Sequence, residues 1–331
     1  MHPFALSRAD SPTQAIAVHA ADPQLAFIAG GTDLIGLMKD RAASPERLLD
    51  INGLPDMAEI EALPEGGLRI GALARMSDVA ADMEVRRKFP VIAEALLLGA
   101  SGQLRNMASI GGNIMQRTRC AYFRDETDAR CNKRKSDSGC AALHGLNRNH
   151  AIFGWSASCV ATNPSDLAVA LAAMDAIVIV QGQAGERRIP FSDFHRLPGS
   201  TPERDNVLDR GDLIAAIEVP ANAEARSSYY LKIRDRASYE FALVSAAAAV
   251  TTNGGHIRSA RIAMGGVSHK PWRLTAAESG LRGILLEDVD GLRSAIAASF
   301  ADARPLAHNA FKIELAQRVA LRALQTAGAR I

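Results

Sequence analysis

The sequence predicts a mixed α+β fold in at least two domains, on three observations. Short apolar strand candidates alternate with helical stretches through the first third of the chain. Beyond residue 176, strand candidates follow one another across a glycine turn without an intervening helix, and the final segment pairs two long apolar strands with a closing helix. At 331 residues with 48% hydrophobic content, the chain can bury substantial cores, and its length favours two or three domains.

Ser11-Pro12 opens a short helix over 12–22, and Leu25 to Ala29 is a buried strand that runs into Gly30-Gly31-Thr32-Asp33 and a helical stretch, Leu34 to Lys39. Leu48-Leu49-Asp50-Ile51 and Leu68-Arg69-Ile70-Gly71 are further short strands, so the opening third reads as α/β. Ser77-Asp78 is placed to cap a helix that Pro90 interrupts before the apolar run Val91 to Leu98. Residues 117–150 are rich in charge, Asn, Asp, Ser and Gly and follow neither period, which predicts a long inserted loop. A loop of that length needs a tether, and a metal centre would supply one. Ala176 to Val180 and Glu186 to Ile189 flank a glycine-containing turn, with Leu213 to Val219 as another strand, and antiparallel pairing is expected there. The polar stretch 221–226 is the expected domain boundary. After it come strands at Ser228 to Ile233 and Leu243 to Thr252, a turn at Asn253-Gly254-Gly255, and a return along Ile257 to Met264. The closing helix carries Phe311, Leu315 and Val319 at i, i+4 and i+8 as its apolar face.

A formal net charge of only +2 recruits no nucleic acid. Alanine-rich runs such as Ser245 to Val250 are too short to span a bilayer. The first residues, Met1 to Arg8, lack a cationic start followed by an apolar core, so no export signal is expected. The histidines show no ligand spacing and neither HExxH nor GxSxG occurs, which argues against hydrolase and mononuclear metalloenzyme chemistry.

All four cysteines, Cys120, Cys131, Cys140 and Cys159, fall in one segment directly after Ile110-Gly111-Gly112-Asn113. Without a CxxC pair they form neither a ferredoxin run nor a zinc ribbon, and the spacing alone leaves an iron–sulfur cluster, a structural zinc, disulfides or unrelated buried thiols open. Seven basic residues against three acids between Arg117 and Lys135 would suit an anionic cluster. Ala29-Gly30-Gly31-Thr32-Asp33 can cradle a phosphate, because glycines admit a close backbone and amides point at the anion, yet it could equally be a tight turn. It is neither GxGxxG nor a Walker loop. A second glycine loop, Ala108 to Asn113, could close on the same ligand and favours a dinucleotide. Asp166, after Asn163-Pro164-Ser165, is either a helix cap or an acceptor for a cofactor hydroxyl. Lys232 alternates with apolar neighbours, as on a solvated strand face, but could also stabilise a reduced flavin.

These motifs resemble the FAD-binding subunits of the molybdenum hydroxylases, the xanthine dehydrogenase and carbon monoxide dehydrogenase medium-chain group. The resemblance rests on Phe27 to Asp33, Ala108 to Asn113, Pro164-Ser165-Asp166 and the segment Lys232 to Val244. Within the group, Gly99 to Asn106, Gln116 to Cys120 and Arg234 to Tyr239 are similar to the flavin subunits of bacterial periplasmic aldehyde oxidoreductases. That subgroup carries an extra [4Fe-4S] cluster in an inserted loop, as do flavin subunits of 4-hydroxybenzoyl-CoA reductase, and the four cysteines here fall at the matching places.

The resemblance implies a two-lobed α+β FAD domain of the vanillyl-alcohol-oxidase (PCMH) type over 1–222, with the cluster loop inserted at about 117–159. A smaller α/β domain of the CO dehydrogenase flavoprotein type would occupy 223–331. FAD would lie on Ala26, Phe27, Ile28, Ala29, Gly30, Gly31, Thr32, Asp33 and Leu34. Gly99, Ala100, Ala108, Ser109, Gly112, Asn113 and Gln116 would form the second wall, with Asp166 on a ribityl or ribose hydroxyl, Ile214 packed near the flavin and Lys232 near its ring. Cys120, Cys131, Cys140 and Cys159 would hold the cluster. Many relatives have an acidic pair before the Ala of the Lys232 segment. Here Tyr239-Glu240-Phe241-Ala242 implies that Tyr239 covers the isoalloxazine, which bears on whether NAD reaches it.

The implied role is electron transfer within a three-part aldehyde-oxidising enzyme, with no residue of this chain catalytic on the aldehyde. A large partner would carry the molybdenum cofactor (Moco), a small one two [2Fe-2S] clusters, and FAD here would serve an external acceptor. The flavin subunit of another molybdenum hydroxylase, acting on xanthine, aromatic or CoA-ester substrates, stays open, as do a self-contained flavin oxidase and a zinc-stabilised binding module. The expected location is the cytoplasm, or the periplasm if a partner bearing the signal exports the folded complex.

Overall fold

The computed structural model describes residues 1–330 and contains three sheets. The first is parallel, with β1 (Ala5–Arg8), β2 (Leu25–Ile28) and β3 (Arg47–Asp50) in the order β1-β3-β2. The second has five antiparallel strands, β4 (Ile60–Ala62), β5 (Leu68–Gly71), β6 (Ile177–Gly182), β7 (Gly185–Pro190) and β8 (Leu213–Val219), in the order β4-β5-β8-β6-β7. All seven residues of β8 are buried, as befits the centre of the sheet. The edge strand β7 is charged and mostly exposed, a pattern that discourages further pairing.

The third sheet contains β9 (Ser228–Ile233), β10 (Val244–Asn253), β11 (His256–Gly265) and β12 (Trp272–Arg273) in the order β12-β11-β10-β9. Asn253 opposes His256 across a turn in which Gly254 and Gly255 both have positive φ, so the predicted hairpin forms with glycine where a Cβ would be strained. Alternate residues of β10 point into different cores. Ala247 and Ala249 join the large amino-terminal core, whereas Ala246, Ala248 and Val250 join the core beneath the closing helix. A strand covered on both faces reads as an unbroken apolar run, and alanine lets both layers approach.

Several expectations change. Leu68–Gly71 belongs to the second sheet, since Leu68 pairs with Val219 and Gly71 with Ala216, a long-range pairing that no local pattern announces. The opening third therefore supplies a small parallel sheet and two strands of an antiparallel one. Ser77-Asp78 does not cap its helix, which runs Met76–Ala81 with Arg75 at the cap position and no side-chain cap bond. The break expected at Pro90 is present: helix Met83–Lys88 ends with Phe89 out of helical conformation, and Pro90 starts helix Pro90–Leu98, where its missing N–H is harmless. The inserted loop contains short helices Ala121–Arg124 and Ala141–His144. In the closing helix Phe311–Gly328, the buried stripe is Lys312, Ala316, Val319, Ala320, Ala323, Leu324 and Ala327, while Phe311 is 41% exposed. No helix among the described residues is long and apolar enough to cross a membrane.

Candidate functional site

A cleft of about 510 Å³ lies where the two glycine loops meet the third sheet. Its walls include Ala26 to Leu34, Gly99, Ala100, Ala108, Ser109, Gly112, Asn113, Gln116, Asp166, Lys232 and Tyr239. Ile214 does not line it. That side chain sits in β8 opposite Val180 and packs in the main core.

The two loops touch through their backbones. A Cβ on Gly30 would come within 2.0 Å of the Met107 carbonyl oxygen, so only glycine allows this approach. Gly31 follows at φ +69°, the left-handed turn that sends the chain into helix Leu34–Lys39. Arg75 ties the loops together, donating to the Met107 carbonyl at 2.5 Å and to Asn52 Oδ1 at 2.8 Å, while Asn52 Nδ2 donates to the Ala29 carbonyl at 3.0 Å. Ser109 Oγ accepts from Gly112 N at 3.2 Å, capping the short helix Ile110–Ile114.

Asp33 does something different from its neighbours. Its carboxylate accepts from the Arg117 amide at 2.9 Å, from Arg119 at 2.6 Å and from Arg124 at 2.9 Å, and so clamps the cysteine segment to the glycine loop. A carboxylate thus neutralised does not repel a phosphate as a bare one would.

Ser165, not Asp166, caps helix Asp166–Ala173, its Oγ accepting from Ala168 N at 3.0 Å and donating to Asn113 Oδ1 at 2.6 Å. Asp166 is thereby free to face the cleft. Its carboxylate accepts from Tyr230 Oη at 2.6 Å and Lys232 Nζ at 2.7 Å, and the ammonium also donates to the Leu98 carbonyl at 3.1 Å. Burial pushes the Asp166 carboxyl up and the adjoining ammonium pulls it down, with burial the stronger. The Lys232 side chain is 1% exposed, so its alternating pattern reflects a cation held in an ion pair and not a solvated face. Each Asp166 oxygen keeps a lone pair for a ligand hydroxyl.

The rim comes from a turn after β9. Tyr239 takes φ +50° and is 56% exposed, with its carbonyl accepting from Arg236. Arg119 stacks its guanidinium 4.8 Å from the Phe241 ring, and both residues line the cleft. Arg119, Arg236 and Phe241 lie in stretches that carry the resemblance, yet sequence reasoning did not place them at the cleft.

All four cysteines line one small cavity together with Phe123, Asn132 and Lys133. None is in a disulfide. Cys131 and Cys140 face each other across an isolated β-bridge. A hydrogen bond with Cys159 draws the Cys140 thiol down to about 6, while burial pushes Cys120 up to about 11. Among the described residues, no group of three or more His, Cys, Asp or Glu side chains is placed to hold a metal ion. The basic residues expected to face a cluster are mostly paired elsewhere. Lys133 and Arg117 converge on Asp205, Arg119 and Arg124 on Asp33, and Arg130 on Asp128. They clamp the loop more than they charge the cavity. His150, which no spacing rule flagged, reaches Cys120 with Nε2 at 3.2 Å from Sγ.

The cleft suits a dinucleotide: two backbone walls made close by glycine, the opening residues of two short helices among its lining, and a buried carboxylate with acceptor capacity. Residues 2–222 match the family described as FAD binding domain in molybdopterin dehydrogenase, and residues 229–327 match the CO dehydrogenase flavoprotein C-terminal domain. The chain is 45% identical to the aldehyde oxidoreductase FAD-binding subunit of Escherichia coli over 100% of both chains. It is 28% identical to the glyceraldehyde dehydrogenase medium chain of Sulfolobus acidocaldarius, covering 86% of this chain and 83% of that one. Among solved structures, CO dehydrogenase from Oligotropha carboxidovorans superposes with a TM-score of 0.78 at 22% identity over 100% of both chains, which shows the shared fold. With the cleft built from the same residues that carry the motifs, the chain belongs to the FAD-binding medium subunits of the molybdenum hydroxylase family, an oxidoreductase family.

Proposed function

We propose that this chain is the FAD- and [4Fe-4S]-holding electron-transfer subunit of a three-part, molybdenum-dependent aldehyde oxidoreductase. The observation that carries this beyond the family is the convergence of all four cysteines on one cavity beside the cofactor cleft, with Arg119 lining the cleft and Cys120 the cavity. The 45% identity to an aldehyde oxidoreductase subunit supports the substrate class.

Bound FAD would accept electrons delivered by the partner subunits and release them to an external acceptor. The cluster would supply one-electron carriage at a potential set by its surroundings. In this reading Gly30, Gly31 and Thr32 bind the pyrophosphate with backbone amides and a hydroxyl, and Ala108, Ser109, Gly112, Asn113 and Gln116 close the opposite wall with Gly99 and Ala100. Asp166 accepts a ribityl or ribose hydroxyl. Lys232 sets a positive charge near the ring, and Tyr239 restricts access from the rim, which disfavours a large oxidant such as NAD. A large Moco subunit would oxidise the aldehyde and a small [2Fe-2S] subunit would relay electrons. The complex would work in the cytoplasm, or in the periplasm if exported folded with a partner carrying the signal.

The test is anaerobic purification with co-expressed partners, followed by iron, sulfide and flavin quantification and EPR of the reduced protein. The expected result is about four irons and about one FAD per chain, with Cys131→Ser losing the cluster signal while keeping flavin. Zinc without iron would overturn the cluster. Aldehyde turnover by the chain alone would overturn the subunit role.

A further inference from the structure

We propose that Tyr230 is a positioning residue for the cofactor: its hydroxyl holds the Asp166 carboxylate in the orientation that recognises one hydroxyl of the bound dinucleotide. The inference rests on the reading above that Asp166 accepts a ribityl or ribose hydroxyl, and deepens it by naming what aims the acceptor. Tyr230 and Lys232 stand two residues apart on β9, on one face of the strand, and straddle the carboxylate. The Tyr230 hydroxyl donates to Oδ1 at 2.6 Å and the Lys232 ammonium donates to Oδ2 at 2.7 Å, so each oxygen has its own donor. Asp166 lines the cleft and keeps 8% of its side chain exposed, whereas Tyr230 is 1% exposed and forms no part of the lining. Gly99, in the cleft wall, leaves Oδ2 uncovered, since a Cβ there would stand 3.5 Å from it. Tyr230 therefore acts through Asp166.

The two donors are not equivalent. An ammonium on a four-carbon stem is a rotatable point charge, and that of Lys232 also donates to the Leu98 carbonyl at 3.1 Å, so it neutralises the carboxylate without fixing its plane. A phenol has only two side-chain torsions, and those of Tyr230 are locked by packing in the main core. The backbone is locked as well. β9 is the edge of its sheet, and the outward N–H of Tyr230 donates to Glu94 Oε2 at 2.9 Å, while Arg330 holds the other oxygen of Glu94 at 2.6 Å. Burial, and then the adjoining carboxylate, push the phenol pKa up, so the hydroxyl keeps its proton and donates it. With a rigid donor on Oδ1 and a charge on Oδ2, the lone pairs left over keep one direction.

The experiment titrates FAD, and FAD analogues each lacking one ribityl or ribose hydroxyl, into the deflavinated complex and reads the dissociation constant from flavin fluorescence. In the wild type, one analogue should bind about tenfold more weakly than FAD. Tyr230→Phe, which keeps the ring, should also bind FAD about tenfold more weakly, yet bind that analogue as the wild type does, because a ligand without the hydroxyl makes no use of the aimed acceptor. An equal loss for FAD and the analogue, or no loss for either, makes Tyr230 a packing residue and overturns its positioning role while leaving the Asp166 contact standing. If no analogue binds the wild type more weakly than FAD, the contact and its positioning both fall. A crystal structure of the FAD-loaded wild-type complex decides the matter even if Tyr230→Phe does not assemble. Asp166 should accept from Tyr230 and from a ligand hydroxyl at once, and a Tyr230 hydroxyl turned away from Asp166 overturns the assignment.

Discussion

Gly30 shows how much can depend on a missing methyl group. Alanine there would drive Cβ into the Met107 carbonyl at 2.0 Å and separate the two walls of the cleft. Gly30→Ala should cost about 1–3 kcal/mol by overpacking and reduce flavin content at least tenfold, read from the flavin-to-protein absorbance ratio after gel filtration. The Asp166–Lys232 pair makes a second prediction. Lys232→Met strands a buried carboxylate and should cost about 3–5 kcal/mol in urea unfolding, whereas pairing it with Asp166→Asn should recover most of that loss. Equal losses in the single and double variants would show that the pair is not coupled. The motif residues were legible in the sequence, but their partners were not: Asp33 is visible beside the glycines, and nothing local says that it serves three groups of the cysteine segment.

Elements inherit their roles from what covers them. Helix Asp166–Ala173 is buried along its whole length because it packs against helix Pro90–Leu98 on one side and strands β10 and β11 on another. The contact is tight at Gly265, where a Cβ would meet Ser245 Oγ at 2.4 Å and Val169 Cγ2 at 2.6 Å. Gly265→Ala should therefore lower stability by about 1–3 kcal/mol and tilt Asp166 away from Lys232, detectable as weaker flavin binding alongside a lower urea midpoint. Unaltered flavin affinity would mean that helix and site are uncoupled. Strand periods placed β8, the β6–β7 hairpin and the β10–β11 hairpin within two residues of their observed bounds. Capping was read less well. Ser77 and Asp78 have capping chemistry but lie two and three residues past the cap position, which Arg75 occupies while bonding to Met107 and Asn52.

Across the whole molecule, buried histidines make stability depend on pH. Burial holds His195 at about 4 and His269 at about 3, against 6.5 for an exposed ring. Between those values the unfolded chain binds more protons than the folded one, so stability is full above 6.5 and falls as pH drops toward 4. Each such histidine adds a slope of up to about 1.4 kcal/mol per pH unit. Urea midpoints measured at about pH 7.5 and about pH 5 should differ accordingly, and His195→Gln should shrink the difference. A midpoint independent of pH in that range would contradict the buried neutral state.

Composition and period by themselves determined the α+β class, most strands and the two glycine loops, because each depends on residues adjacent in the chain, and one segment already held all four cysteines. Tertiary structure decided the rest: that β5 joins β8, that β10 divides its two faces between two cores, that Ile214 packs inward, and that His150 meets Cys120. These are contacts between residues far apart in sequence. They are chosen by the total area that packing buries and by which buried polar groups find partners, quantities that no local window contains.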